Sequence, residues 1–167
     1  MGLFSKKFTM VVVCKANITR SAYLHGYMEN YLKVHIPYAR KKARILSAGV
    51  QARSGGSASQ VVRHIAKLNG FSLGHHHSNP MTQKMVKAAD VILVMEQYQK
   101  EAILKRFQTA EGKTFRLMEY LQTGDPSEIT DIPDPTGKNI VEYKEFISVA
   151  HTEVERIFRE LAREGII

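Results

Sequence analysis

Apolar positions along the chain follow two alternating patterns. Residues 8–14, FTMVVVC, form a short β-branched run of the kind that is buried on both faces in a parallel sheet. A polar stretch, residues 15–20, follows. Then Ala22, Leu24, Met28, Tyr31 and Leu32 recur at helical spacing and predict a helix of about three turns. Residues 44–47 predict a second strand. Gly49 and the Ser/Gly-rich residues 54–59 predict a loop before a helix that carries Val61, Val62, Ile65 and Leu68 and ends at Asn69-Gly70. Residues 91–95 predict a third strand, with a short helix before it and a helix over 97–107 after it. Residues 115–118 predict a fourth. From Tyr143 onward, Phe146, Ile147, Ala150, Val154, Ile157, Phe158 and Leu161 mark a long amphipathic helix that should cap the sheet.

Strands alternating with helices predict an α/β fold, a single-domain three-layer αβα arrangement around a central, mainly parallel four-stranded sheet. At 167 residues, with no internal repeat or dividing linker, residues 1–167 are expected to form one domain. In such folds ligands bind beyond the carboxyl ends of the strands, which directs attention to the loop after the first strand.

Composition narrows the setting. No run approaches the roughly 20 apolar residues of a membrane-spanning helix, and Lys15 interrupts the apolar run that follows Lys6 and Lys7, so a strand is expected rather than a secretory signal. Gly2 lacks the Ser or Thr that a myristoylation signal places where Lys6 stands, so no lipid is expected there. The single cysteine fits a reducing cytoplasm. The formal charge of +8, densest at Arg40, Lys41, Lys42 and Arg44, comes with no nucleic-acid motif; it is expected to be solvated surface whose field also attracts phosphorylated substrates.

The loop itself reads Cys14, Lys15, Ala16, Asn17, Ile18, Thr19, Arg20, Ser21. Backbone N–H groups between a strand and a helix N-terminus form a phosphate cradle. The same field favours an anionic sulfur, so Cys14 is expected to be the nucleophile. Arg20 offers a planar fork that can hold two phosphate oxygens. Ser21 can donate to the sulfur, and Asn17 can organise the loop through side-chain to backbone hydrogen bonds.

C-K-A-N-I-T-R-S resembles the C-x-G-N-x-C-R-S signature of the low-molecular-weight protein tyrosine phosphatases. The likeness extends to Ser47-Ala48-Gly49, to D-V-I-L-V-M-E at 90–96 and to Ile132-Pro133-Asp134-Pro135. It implies hydrolysis of phosphotyrosine through a phosphocysteine on Cys14, with Arg20 binding phosphate, Asp134 as general acid and base, and no cofactor or metal. Asp125-Pro126 is a second Asp-Pro pair, but only the Asp134 context matches the family; for Asp125 a turn is expected. His75, His76 and His77 lack companions at metal-ligand spacing and are expected to lie in an exposed loop.

The chain also departs from the family. Ala16 replaces a signature glycine, and a positive φ there would cost about 1 kcal/mol. Thr19 replaces a second cysteine that in the family can pair with the nucleophile. Arg53 and Thr136 occupy the positions where eukaryotic members wall the substrate cleft with aromatic rings. The non-aromatic first wall resembles the bacterial branch associated with tyrosine kinases of capsule assembly, which implies a phosphorylated protein, such as such a kinase, as partner. A catalytically impaired phosphate-binding module is the alternative. An arsenate reductase would need more cysteines, a nucleic-acid binder is motivated by charge alone, and the similar arginine phosphatases carry threonine where Ile18 stands.

Overall fold

The computed structural model describes residues 6–167, so the Gly2 reading lies outside the described residues. Among these residues four strands, β1 (Phe8–Cys14), β2 (Ala43–Gly49), β3 (Val91–Val94) and β4 (Thr114–Arg116), form one sheet in the order β2-β1-β3-β4. Every pairing is parallel. Cys14 lies beside Gly49, and Val13 beside Val94, so the carboxyl ends of three strands meet on one edge.

Among the described residues five α-helices cover the sheet: α1 (Arg20–Val34), α2 (Gln60–Leu68), α3 (Gln83–Ala88), α4 (Gln97–Arg106) and α5 (Ile140–Arg163). The pleat of β1 divides its side chains. Met10, Val12 and Cys14 join a core with α1, α2 and α5, whereas Val11 and Val13 join a second with α3 and α4. Burial on both faces is why β1 carries an unbroken apolar run. The expected three-layer α/β fold is the one observed.

Boundaries shift where packing overrides pattern. The first helix runs 15 residues and begins at Arg20 itself. The fourth strand ends at Arg116, although the Leu117 N–H still donates to the Val94 carbonyl at 2.9 Å. The last helix starts at Ile140, before Tyr143, because Asn139 caps it through the Val141 N–H. Its first two residues, Ile140 and Val141, are exposed and so outside the buried stripe that marked the helix. Asn69 and Gly70 do end α2, with Gly70 at φ 83°. Among the described residues no helix is long and apolar enough to cross a membrane.

The α1–α5 seam holds a half-buried histidine. His151 Nε2 is 2.8 Å from the Tyr23 hydroxyl, and its ring stacks on Tyr27 with centroids 3.8 Å apart. Burial pushes the His151 imidazole below its ordinary pKa, and Glu155 opposes this only in part. An unfolded histidine therefore binds more protons than His151 does in the fold, so stability is full above about pH 6.5 and falls as pH drops through the depressed folded pKa. Melting temperature is expected to decline on acidification across that window, and His151→Phe, which keeps the stacking, is expected to flatten the decline. An unchanged slope in the variant would refute this origin.

Candidate active site

β1 ends at Cys14 and α1 begins at Arg20, so one short loop carries the whole signature. Cys14 is 3 % exposed, Asn17 and Ser21 are fully buried, and Arg20 is 1 % exposed. Among the described residues the backbone N–H groups of Ala16, Asn17, Ile18 and Thr19 donate to no protein acceptor. A run of unpaired donors at the N-terminus of a 15-residue helix is an oxyanion cradle.

Asn17 holds the loop in shape. It sits at φ 56°, a left-handed conformation that asparagine tolerates better than most side chains. Its Nδ2 donates to Ser21 Oγ at 2.8 Å, and its Oδ1 accepts the Asn79 N–H at 2.8 Å. Ala16 is not among the positive-φ residues, so the cost expected for replacing the signature glycine does not arise: the left-handed residue is its neighbour. Gly49, by contrast, is required. A Cβ there would lie 2.6 Å from the Lys15 carbonyl oxygen and 2.9 Å from the Asn17 nitrogen, which gives the Ser47-Ala48-Gly49 motif a steric meaning.

Ser21 Oγ lies 3.1 Å from Cys14 Sγ and 3.3 Å from the Ala48 carbonyl oxygen. With Asn17 already donating to it, its single proton has two acceptors to choose between. It can turn to sulfur whenever sulfur is anionic.

Arg20 is gripped by three groups from two segments remote in sequence. Nη1 donates to Glu96 Oε1 and, at 2.8 Å, to the Ile132 carbonyl; Nη2 donates to Asp134 Oδ2 at 3.1 Å. Burial alone would lower the guanidinium pKa, but the Glu96 hydrogen bond and the charges of Asp134, Cys14 and Glu96 together raise it. Nε is buried with no partner among the described residues. Glu96 is itself held at the end of β3: Gln99 Nε2 donates to its carboxylate at 3.2 Å, and Gln99 Oε1 accepts the Met95 N–H at 2.9 Å.

Asp134 lies on a loop pinned to the same edge, since the Ile132 N–H donates to the Met95 carbonyl at 2.9 Å. Burial would raise the Asp134 carboxyl, but hydrogen bonds from Thr136 and the Arg20 charge hold it below the ordinary carboxylate range. Thr136 Oγ1 donates to Thr19 Oγ1 at 3.1 Å, so a hydroxyl pair joins this loop to the cradle where the family places a second cysteine.

The other expected positions divide. Lys15 is exposed, and Ala16 and Ile18 are half-buried, in the cradle. Arg53 is exposed on a loop fastened beside it, its carbonyl accepting from Ser78 Oγ. Asp125 accepts the Ser127 N–H at 2.8 Å and serves a turn, as expected. His75 and His77 are exposed, but His76 corrects the exposed-loop expectation: its Nε2–H donates to the Asn17 carbonyl at 2.7 Å. Burial lowers the His76 pKa, against the pull of that hydrogen bond. Nothing in three identical neighbours marks the middle one. Among the described residues no cluster of three or more His, Cys, Asp or Glu could hold a metal ion.

Comparison with known proteins agrees with this geometry. A putative low molecular weight protein-tyrosine-phosphatase of Klebsiella pneumoniae is 36 % identical over 131 residues, covering 78 % of this chain and 81 % of that protein. The solved structure of the YwlE arginine phosphatase from Geobacillus stearothermophilus superimposes with a TM-score of 0.82 at 27 % identity, covering 95 % of this chain and 96 % of that one. The tyrosine phosphatase Wzb from Escherichia coli K30, solved with sulphate, gives a TM-score of 0.78 at 25 % identity over 92 % and 97 % of the two chains. The sequence profile of the low molecular weight phosphotyrosine protein phosphatases matches residues 9–166, and the chain belongs to that family of phosphoric monoester hydrolases.

Proposed function

We propose that this chain hydrolyses phosphotyrosine in proteins, with Cys14 as nucleophile, Arg20 as phosphate clamp and Asp134 as general acid. The observation that carries the reading is the convergence of an Arg20–Asp134 pair, 3.1 Å apart, on a cradle of unpaired amides that begins at Cys14.

Cys14 Sγ attacks phosphorus, the P–O bond to the aryl group breaks, and Asp134 gives its proton to the departing phenolate. Arg20 and the cradle amides bind the equatorial oxygens, where charge is spread in the transition state. Water then attacks the phosphocysteine, Asp134 takes the water proton, and Ser21 donates to the sulfur as it leaves.

The low pKa of Asp134 fits this role. The Thr136 hydrogen bonds and, after them, the Arg20 charge hold the carboxyl ionised; when substrate binds, the Arg20 charge is drawn to the phosphoryl group, and the phosphoryl charge then favours the protonated acid. Substrate itself thus brings Asp134 to the state in which it can donate.

A second reading, phosphoarginine hydrolysis, has the likeness to the Geobacillus arginine phosphatase in its favour. Ile18 weighs against it, because an apolar side chain at the cradle suits an aryl ring better than a guanidinium. Thr136 and exposed Arg53 provide no aromatic wall, so recognition of the ring relies less on stacking. The single cysteine supports a reducing cytoplasm as the setting, with a phosphorylated protein, such as a bacterial tyrosine kinase, as partner.

Asp134→Asn is expected to lower kcat for phosphotyrosyl peptides by about 10²- to 10⁴-fold and to remove the alkaline limb of the kcat–pH profile. An undiminished rate would move the acid elsewhere, and faster turnover of phosphoarginyl than phosphotyrosyl peptides by the wild type would favour the second reading.

A further inference from the structure

Helices α2 and α5 line a trough of about 490 Å³ that the reaction does not use. Ile65, Leu68, Ile140 and Ile147 give it an apolar lining, with His64, Lys144 and His151 among its polar members. Leu68 is 73 % exposed and Ile140 54 % exposed, high values for large apolar side chains. They belong to two helical stripes: Val61, Ile65 and Leu68 on α2, and Ile140, Lys144 and Ile147 on α5.

Both walls grow out of the rim of the active site. The Ser59 N–H, immediately before α2, donates to the Ile18 carbonyl at 2.7 Å, and Thr19 Oγ1 donates to Ser59 Oγ at 3.4 Å. Thr136, which bonds Thr19, leads within four residues to Ile140. The two helices that wall the trough therefore both start at the rim of the cleft.

Its lining carries no acid. Helix α2 has no acidic residue, and the lining residues His64 and Lys144 form no ion pair among the described residues. Of the α5 carboxylates, Glu142 and Glu145 line a different pocket, beside Asp134, and Glu155 lies within electrostatic reach of His151 at the trough's far end.

We propose that this trough docks the polypeptide flanking the phosphorylated residue of a protein substrate, and that it selects a segment combining an apolar anchor with acidic residues. The proposal rests on the phosphoprotein reading above. The anchor seats between Leu68 and Ile140, and the acidic residues face His64 and Lys144. From Ser59 to Leu68 the helix rises about 13 Å. An extended peptide covers that span in about four residues. The anchor is therefore expected about four residues from the phosphorylated position.

Steady-state kinetics on p-nitrophenyl phosphate and on phosphotyrosyl peptides, with Leu or Ala four residues to either side and Glu or Lys between, test the proposal. The Leu/Glu peptide on one side is expected to exceed its Ala/Lys counterpart in kcat/KM by about tenfold or more, chiefly through KM. Leu68→Asp with Ile140→Asp, or Lys144→Glu alone, is expected to erase most of that advantage while leaving p-nitrophenyl phosphate turnover within about twofold. Equal rates for all peptides, or variants that slow both substrates alike, would overturn it. Amide shifts with the unphosphorylated Leu/Glu peptide keep the two readings distinct. Shifts confined to residues 61–68 and 140–148 support the trough even if no ester is hydrolysed, and their absence counts against it even if catalysis is normal.

Discussion

Cys14→Ser is expected to hydrolyse p-nitrophenyl phosphate slower by about five orders of magnitude or more while still binding phosphate. The hydroxyl would take the place of a sulfur whose near polar neighbour is Ser21 Oγ at 3.1 Å, a group that can donate a proton but is no base. No second cysteine exists to take over. Binding should survive because the cradle amides and Arg20 are untouched, so titration with inorganic phosphate is expected to give a Kd within a few-fold of wild type. A variant that retained wild-type turnover would end the phosphocysteine mechanism, whatever its phosphate affinity.

Arg20→Lys is expected to damage both catalysis and the fold. The guanidinium is 1 % exposed and bonds Glu96, the Ile132 carbonyl and Asp134 at once. An ammonium is a point charge on a flexible stem and cannot reproduce that planar fork. Breaking such a buried arrangement costs about 3–5 kcal/mol, visible as a lowered melting temperature. Loss of transition-state contacts to the phosphoryl oxygens is expected to lower kcat/KM by a further factor of about 10³. If the lysine variant melted and turned over like wild type, Arg20 would be neither clamp nor keystone.

Legibility in the sequence followed distance along the chain. The strand, loop and helix from Phe8 to Val34 could be read because each is a local pattern, and the cradle lies wholly within it. The grip on Arg20 could not. Glu96 and Ile132 lie 76 and 112 residues away, and pairings at that range carry no periodicity. D-V-I-L-V-M-E was visible as a motif, yet its two carboxylates do different things. Asp90 accepts the Thr9 N–H at 2.8 Å at the start of β3, while Glu96 orients Arg20 at its end. His76 was hidden among identical neighbours, and Ala16 looked strained only because the left-handed residue cannot be located without backbone angles.

The hub at Asn17 has a consequence for turnover. Its side chain and backbone are tied to Ser21, Asn79 and His76, so the cradle is set before anything enters it. Little binding free energy is consumed in ordering the loop. A rigid cup shaped to a tetrahedral oxyanion, however, grips the inorganic phosphate it has just released much as it grips the ester. The speed of emptying, and with it inhibition by product, is therefore written into the same hydrogen bonds that ready the loop for attack.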